Sequence, residues 1–471
     1  MSATEPREPV VDATQMQGAG RVAYWALVGS QLRKNRSAMA AWAALKGLWV
    51  AAVAAPLLAF NVPLFRIADG RPGFPLLDHL FDRTVFPNGV DVFFNLILVA
   101  VPFALAGRAL GRMRAASAPR GASRVMAVVA LSFIAVLAWT AVWSRTSLRI
   151  ATFGVGPLVG IAAYAGAGGT AATPRWRGAR AMRWLVVAVF VAGFAAIMRD
   201  GETRRWTEWT GARAEPSTFA LFPPVPFHPD NVGEPAGLAA DRGLHSTPSA
   251  SNWLGCDAGG RDVVARLLFG ARISLTIGLV GVSIYILIGV ILGSLAGYYL
   301  GKVDLVISRL VEIVICFPVL FLLLTIIAVF DTRSIFLIMA AIGFVGWPGV
   351  ARLVRGEFLR QRNLDYVTAA KSQGIPERKI IFGHVLPNCI GPVLVSATFG
   401  VASAILTESG IAFLGLGDPN AASWGEMLTK GRESLHWHLI LAPGFAIFFV
   451  VTVFNLLGEG LRDALDPKLR R

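Results

Sequence analysis

The sequence predicts an all-α fold, a polytopic transmembrane helical bundle, and three observations carry that expectation. Of the 471 residues, 55% are hydrophobic and 15% charged, with a mean hydropathy of +0.59, whereas soluble domains carry about 25% charged residues. Apolar runs recur at roughly the 20-residue length that a helix needs to cross a ~30 Å hydrocarbon core. The formal charge of +15 is spread over short Lys/Arg clusters beside those runs, the pattern left when basic loops stay inside during insertion. A nucleic-acid partner is excluded by the lack of a continuous basic face with interleaved aromatics on a polar domain.

Residues 1–36 hold Glu5, Glu8 and Asp12 without an apolar core, so they read as a cytoplasmic tail rather than a secretory signal. The first span, 37–60, follows Arg33, Lys34 and Arg36 and is longer than a signal's apolar region. Residues 61–215 form an insertion with apolar runs at 92–107, 125–144, 150–169 and 184–198. Residues 216–266 carry Pro223, Pro224, Pro226, Pro229, Pro235 and Pro248, which suits an external Pro-rich loop. Residues 267–471 form a core with runs at 274–297, 313–330, 334–351, 385–407 and 439–458. The total is about ten spans: a six-span core, counting the first, plus about four inserted ones.

Orientation follows from basic residues. The segment 352–388 has seven Lys/Arg, including Arg352, Arg355 and Lys371, against three acids, so it is cytoplasmic, as are both termini. With the Pro-rich loop outside, the insertion must contribute an even number of spans. Inside loops at Arg108 to Arg124 and Arg175 to Arg183 favour four inserted spans over two.

Within 352–388, Asp365 is expected to cap a short helix whose Ala369 and Ala370 leave a flat surface for close approach. Gly374 suits a left-handed C-terminal cap, and Pro376 the first position of the next helix. Such an elbow can dock into a partner's groove, although a plain cytoplasmic connection would read the same way.

The loop resembles the EAA motif of permeases in ATP-binding-cassette (ABC) importers, with Ala369, Ala370, Gly374, Leu386 and Pro387 at the motif's spacing. The departure is Thr368, where the family most often has Glu and where Glu would complete a capping box. Three more stretches resemble the second permease subunit of the oligopeptide/dipeptide, binding-protein-dependent branch. One is Asn252-Trp253-Leu254-Gly255-Cys256-Asp257 with Gly260-Arg261-Asp262-Val263, Arg266 and Gly270-Ala271-Arg272-Ile273-Ser274; Cys256 stands where Thr is usual. The second is Phe413-Leu414-Gly415-Leu416-Gly417 with Ser423-Trp424-Gly425. The third runs from Gly460 to Pro467.

The resemblance implies a permease subunit of an ABC importer of peptides or similar small solutes in a bacterial inner membrane. It implies that Asp365, Tyr366, Thr368, Ala369, Ala370, Gly374, Ile375, Pro376, Leu386 and Pro387 form the ATPase-coupling element. The implied partners are a second permease subunit, two ATP-binding cassette subunits and an extracytoplasmic solute-binding protein, besides membrane lipid. The family's usual member lacks the 61–215 insertion, which reads as a lipid-facing elaboration beside the core.

No phosphate-cradling loop is present, since Gly301-Lys302 is followed by Val303 rather than Ser or Thr. The chain is therefore expected to be a transport subunit without its own ATPase site, with ATP bound by its partners and no cofactor of its own. No metal is expected either: His228, His245, His436 and His438 are scattered, and Cys256, Cys316 and Cys389 lack ligand spacing. Ionisable residues in apolar runs are functional candidates by default, which singles out Glu312 and Glu408 for the pathway. The alternative function is a membrane-bound enzyme or scaffold using the insertion, for which a cluster of acids, His or Ser in the inserted spans would be needed.

Overall fold

The computed structural model describes residues 28–68, 71–82, 85–116, 219–230, 247–250, 252–330, 333–419 and 421–466. The expected spans at 125–144, 150–169 and 184–198, most of the tail 1–36 and the Arg175 to Arg183 cluster lie outside the described residues. The first apolar run is helical in two pieces, α1 (Arg36–Val53) and α2 (Ala55–Leu58). Asn35 caps α1, its Oδ1 accepting from the Ala38 amide at 3.1 Å, and Pro56 restarts the helix in the first turn of α2.

A small sheet follows. Strands β1 (Phe65–Ala68), β2 (Arg71–Gly73) and β3 (Phe219–Leu221) pair antiparallel in the order β2-β1-β3. Because β3 lies directly against β1, residues about 150 positions apart in the sequence, such as Ile67 and Phe219, sit side by side. Short α3 (Pro75–His79) and the longer α4 (Gly89–Ala116) complete this part. Phe60, Phe86, Phe227 and Phe269 are buried in a satellite core here, with His228 among the rings of Phe60, Phe86 and Phe269.

The main bundle consists of α5 (Val263–Tyr299), α6 (Gly301–Cys316), α7 (Val319–Phe330), α8 (Ile335–Gln361), α9 (Asp365–Ser372), α10 (Glu377–Lys379), α11 (Leu386–Ile411), α12 (Trp424–Ser434) and α13 (Trp437–Leu465). One π-helical stretch, Ile380–Val385, joins α10 to α11, and another, Ala412–Leu416, follows α11. Among the described residues four helices are long and apolar enough to cross a membrane, the α10 to α11 run being one of them. The expected span at 313–330 is a correction: it straddles two helices bent by 86°. Phe317 is extended there, at φ −86° and ψ 132°, a conformation that the ring of Pro318 favours in the residue before it.

Helices α5 and α8 run parallel, and glycines set how closely. A Cβ on Gly281 would stand 3.3 Å from Ile342, on Gly289 2.6 Å from Val350, on Gly293 2.5 Å from the Ala351 carbonyl oxygen and on Gly297 2.5 Å from Phe358. Such small-residue seams let membrane helices gain packing that lipid tails cannot offer. If the bent pair α6–α7 counts as one span, the described residues hold up to five helical segments long and apolar enough to cross a membrane, and a return through α6 and α7 fits the parallel course of α5 and α8.

Two buried arginines tie α5 to its surroundings. Arg272 is fully buried; its Nε donates to the Ala52 carbonyl at 2.6 Å and its Nη2 to that of Val53 at 3.2 Å. These carbonyls lie at the C-terminus of α1, where the helix dipole favours a cation. Asp91, in the first turn of α4, takes Nη1 at 3.2 Å, and the guanidinium lies over the rings of Phe94 and Phe269. One side chain thus joins α1, α4 and α5. Arg272→Met should lower stability by about 3 kcal/mol, since it leaves the buried Asp91 carboxylate without its cation. Thermal unfolding of Arg272→Met, Asp91→Asn and the double variant should show the second loss largely absorbed by the first; strictly additive losses would contradict the pairing.

Candidate coupling site and the network at the start of α5

The elbow begins where α8 ends. Arg362 Nη1 donates to the carbonyl of Tyr298, at the end of α5, at 3.1 Å, and Tyr366 Oη lies 3.0 Å from Gln361 Oε1. In α9, Val367 and Ala370 are buried in the main core together with Ile380 and Ile381. Thr368, Ala369, Ser372 and Gln373 are exposed. Lys371 lies 5.1 Å from the Tyr298 ring, a second tether between α9 and α5.

The C-terminus of α9 closes in a Schellman motif: the Ile375 amide donates to Ala370 at 3.2 Å and the Gly374 amide to Lys371 at 2.9 Å. Gly374 has φ +68°, as its sequence position suggested. Three expectations are corrected. Asp365 is the first helical residue and the extended Leu364 is the N-cap, so the third position is Val367 and a Glu at Thr368 would not build a capping box. Pro376 is the N-cap of α10 rather than its first residue. Ala370 turns into the permease body and Ala369 outward, because residues three apart share a helix face and Val367 anchors the inner one.

At the other end of α5, the first and second sequence signatures meet. Asp262 caps α5, accepting from the Ala265 amide at 2.8 Å and from Asn252 Nδ2 at 2.7 Å. Arg261 holds Asp257 at 2.7 Å. Buried Arg266 pairs with Glu426 of α12, donates to the Pro229 carbonyl at 3.2 Å and lies 3.8 Å from Asp257. Burial pushes the Asp257 carboxyl up, but Arg266 and Arg261 together hold it below the ordinary carboxylate range. Trp424 Nε1 donates to the Leu267 carbonyl at 3.0 Å, and a Cβ on Gly270 would stand 2.7 Å from that indole. Ser423 caps α12, accepting from the Glu426 amide at 3.1 Å.

The family model for the inner membrane component of binding-protein-dependent transport systems matches residues 289–471. The dipeptide transport system permease protein DppC of Alkalihalophilus pseudofirmus is 42% identical over 227 residues, covering 47% of this chain and 74% of that protein. The chain belongs to this family. The oligopeptide permease OppC of Haemophilus influenzae is 42% identical over 228 residues, covering 48% and 73% of the two chains. The inner membrane ABC transporter permease YejE of Escherichia coli is 37% identical over 262 residues, 55% and 75%. A solved chain of the MetNI methionine ABC transporter aligns at a TM-score of 0.37 and 16% identity, covering 43% of this chain and 97% of that one. The relatives favour a transport subunit over a membrane-bound enzyme.

In this multi-pass permease the two acids singled out in the sequence have different surroundings. Glu312 is exposed on α6 and pairs with Arg309 at 2.5 Å. Glu408 is fully buried on α11, 3.5 Å from the Ser409 hydroxyl, and its Oε1 has no partner among the described residues. Arg266, Arg272, Asp91 and Glu426, which organise the permease, were not singled out as functional by sequence reasoning. The signal was present in Arg272, a charge within an apolar run like the two glutamates.

Gly374→Ala is predicted to cost about 1 kcal/mol locally, because a Cβ is disfavoured at positive φ. Hydrogen exchange should rise about fivefold for amides of residues 365–375 while the α5–α8 core is unchanged. Unaltered exchange in the elbow would contradict the Schellman geometry.

Proposed function

We propose that the chain is one of two permease subunits of an ATP-driven importer in a bacterial inner membrane, with both termini cytoplasmic. A solute-binding protein delivers cargo outside, two permease subunits form the pathway, and two ATP-binding cassette subunits close on ATP and act through the elbows. The cargo is a peptide or similar small solute, in keeping with the dipeptide and oligopeptide relatives. The chain binds neither ATP nor a cofactor itself.

The observation that carries this reading is the elbow. A short helix held by buried Val367 and Ala370, stopped by Gly374 and tethered to α5 through Tyr298, presents Asp365, Thr368 and Ala369 outward. Tyr366 and Ile375 are half-buried behind that face and Pro376 continues it, while Leu386 and Pro387 open α11 just beyond. A small exposed alanine on a braced helix accommodates a partner's groove, and the bracing passes a push on α9 to α5 and α8. The N-terminus of α1 and the C-terminal part of α13 share an end of the bundle, since Gly460 packs on Ala38, as cytoplasmic termini require. Of the two acids, Glu312 stands on the exposed face of α6, paired with Arg309, and the enclosure of Glu408 beneath α12 suits a supporting role.

Ala369→Glu should insert at normal abundance but lose capture of the ATPase subunit by about tenfold or more, as at an interface hot spot. Ala370→Glu buries an unpaired charge and should lower the abundance of the chain itself. Co-purification quantified against chain abundance separates the two. Normal capture by Ala369→Glu would overturn the docking reading.

A further inference from the structure

A cavity of about 440 Å³ opens between α6 and α8 beside the last turns of α5. Its wall is amphiphilic. Ile307, Val311 and Ile315 recur every fourth residue on α6 and supply apolar surface, with Ala296 and Ala351 opposite. Ser308, Glu312, Arg352 and Arg355 make the polar part.

The charges in and around this cavity do not cancel. Arg355 holds Asp304 through two hydrogen bonds, 2.6 and 2.7 Å long, with Ser308 also against Asp304 at 3.2 Å. Glu312 is taken by Arg309. Arg352 is exposed and has no partner among the described residues. One positive charge therefore stands unbalanced at the cavity, at the point where the apolar stretch of α8 ends and its basic part begins. Beside it, the outer face of α6 exposes Leu305, Val306, Leu310 and Ile313, a surface suited to acyl chains.

From this arrangement we infer that the α6–α8 cavity binds the phosphate-bearing headgroup of an anionic membrane lipid at Arg352, with an acyl chain along Ile307, Val311 and Ile315. A basic pocket between membrane helices near the boundary of the hydrocarbon has the chemistry to hold such a headgroup. Arg355 shapes the pocket but is already neutralised by Asp304, so Arg352 is the residue that selects charge. Assignment to the cytoplasmic leaflet rests on the orientation proposed above; binding itself does not.

The test uses the full chain purified with its partner subunits and reconstituted in phosphatidylcholine bilayers with a minority of phosphatidylglycerol. Lipid retained after mild detergent extraction is counted by native mass spectrometry. Arg352→Gln should lower phosphatidylglycerol retention relative to phosphatidylcholine about fivefold, the pull of one basic residue on an anionic lipid. Arg352→Lys should keep most of the retention, and Arg360→Gln, an exposed cation beside Glu357 and outside the cavity, should keep it all. Equal retention by wild type and Arg352→Gln overturns the inference. So does a result in which Arg352→Gln raises the KM for transport while retention is unchanged, which would assign this cation to the cargo. Because Ala369→Glu leaves the cavity intact, its retention of phosphatidylglycerol should stay normal even if ATPase capture fails, so the two readings fail separately.

Discussion

The close parallel contact of α5 with α8 is the constraint on which the rest of this permease depends. Gly281, Gly289, Gly293 and Gly297 remove side chains where the α8 backbone and its Val350, Val354 and Phe358 approach, and Gly343 and Gly346 of α8 do the same for Ile284 and Tyr285. Without a hydrophobic driving force between helices in lipid, such contact depends on packing at short range. Two side-chain networks hang from its two ends. At one end Arg266 and Trp424 lock the start of α5 to α12; at the other, Tyr298, Arg362 and Lys371 lock the end of α5 to the elbow.

That arrangement gives a physical reason for separate stretches of sequence to occur together. The stretch from Asn252 to Arg272 and the stretch from Ser423 to Glu426 are far apart in the chain, yet Arg266 pairs with Glu426 and the Trp424 indole bonds the Leu267 carbonyl. A buried arginine is tolerable only with such partners, since an unpaired buried charge costs several kcal/mol. α4 is fastened by the same means, since its Asp91 enters the Arg272 site, and β1 pairs with the distant β3.

What could be read in advance was whatever is local. Apolar runs gave the long helices, and Gly374 marked the stop of α9 because only a residue without a Cβ takes that backbone angle freely. Local rules misjudged contests between neighbours. Asp365 is a better cap than Leu364 by propensity, but the register of α9 is set by burying Val367 and Ala370, which moves Asp365 one place into the helix. The same burial turned Ala370 inward. The bend at Phe317 was legible in Pro318 but was overlooked within an apolar run long enough to cross. The parallel pairing of α5 with α8 and the partners of Arg266 and Arg272 are tertiary facts with no local signature, so the residues that organise the permease stood in the sequence as charges without assigned roles.

The outward face of α9 is where the account is most exposed to test, and cysteine cross-linking across the assembled importer addresses it directly. In a Cys316→Ser background, Ala369→Cys should join to the ATP-binding subunit with a short thiol cross-linker, and Ala370→Cys should not, being enclosed by its own chain. Efficient cross-linking from position 370 with none from 369 would place the opposite face against the partner and contradict the coupling element described here.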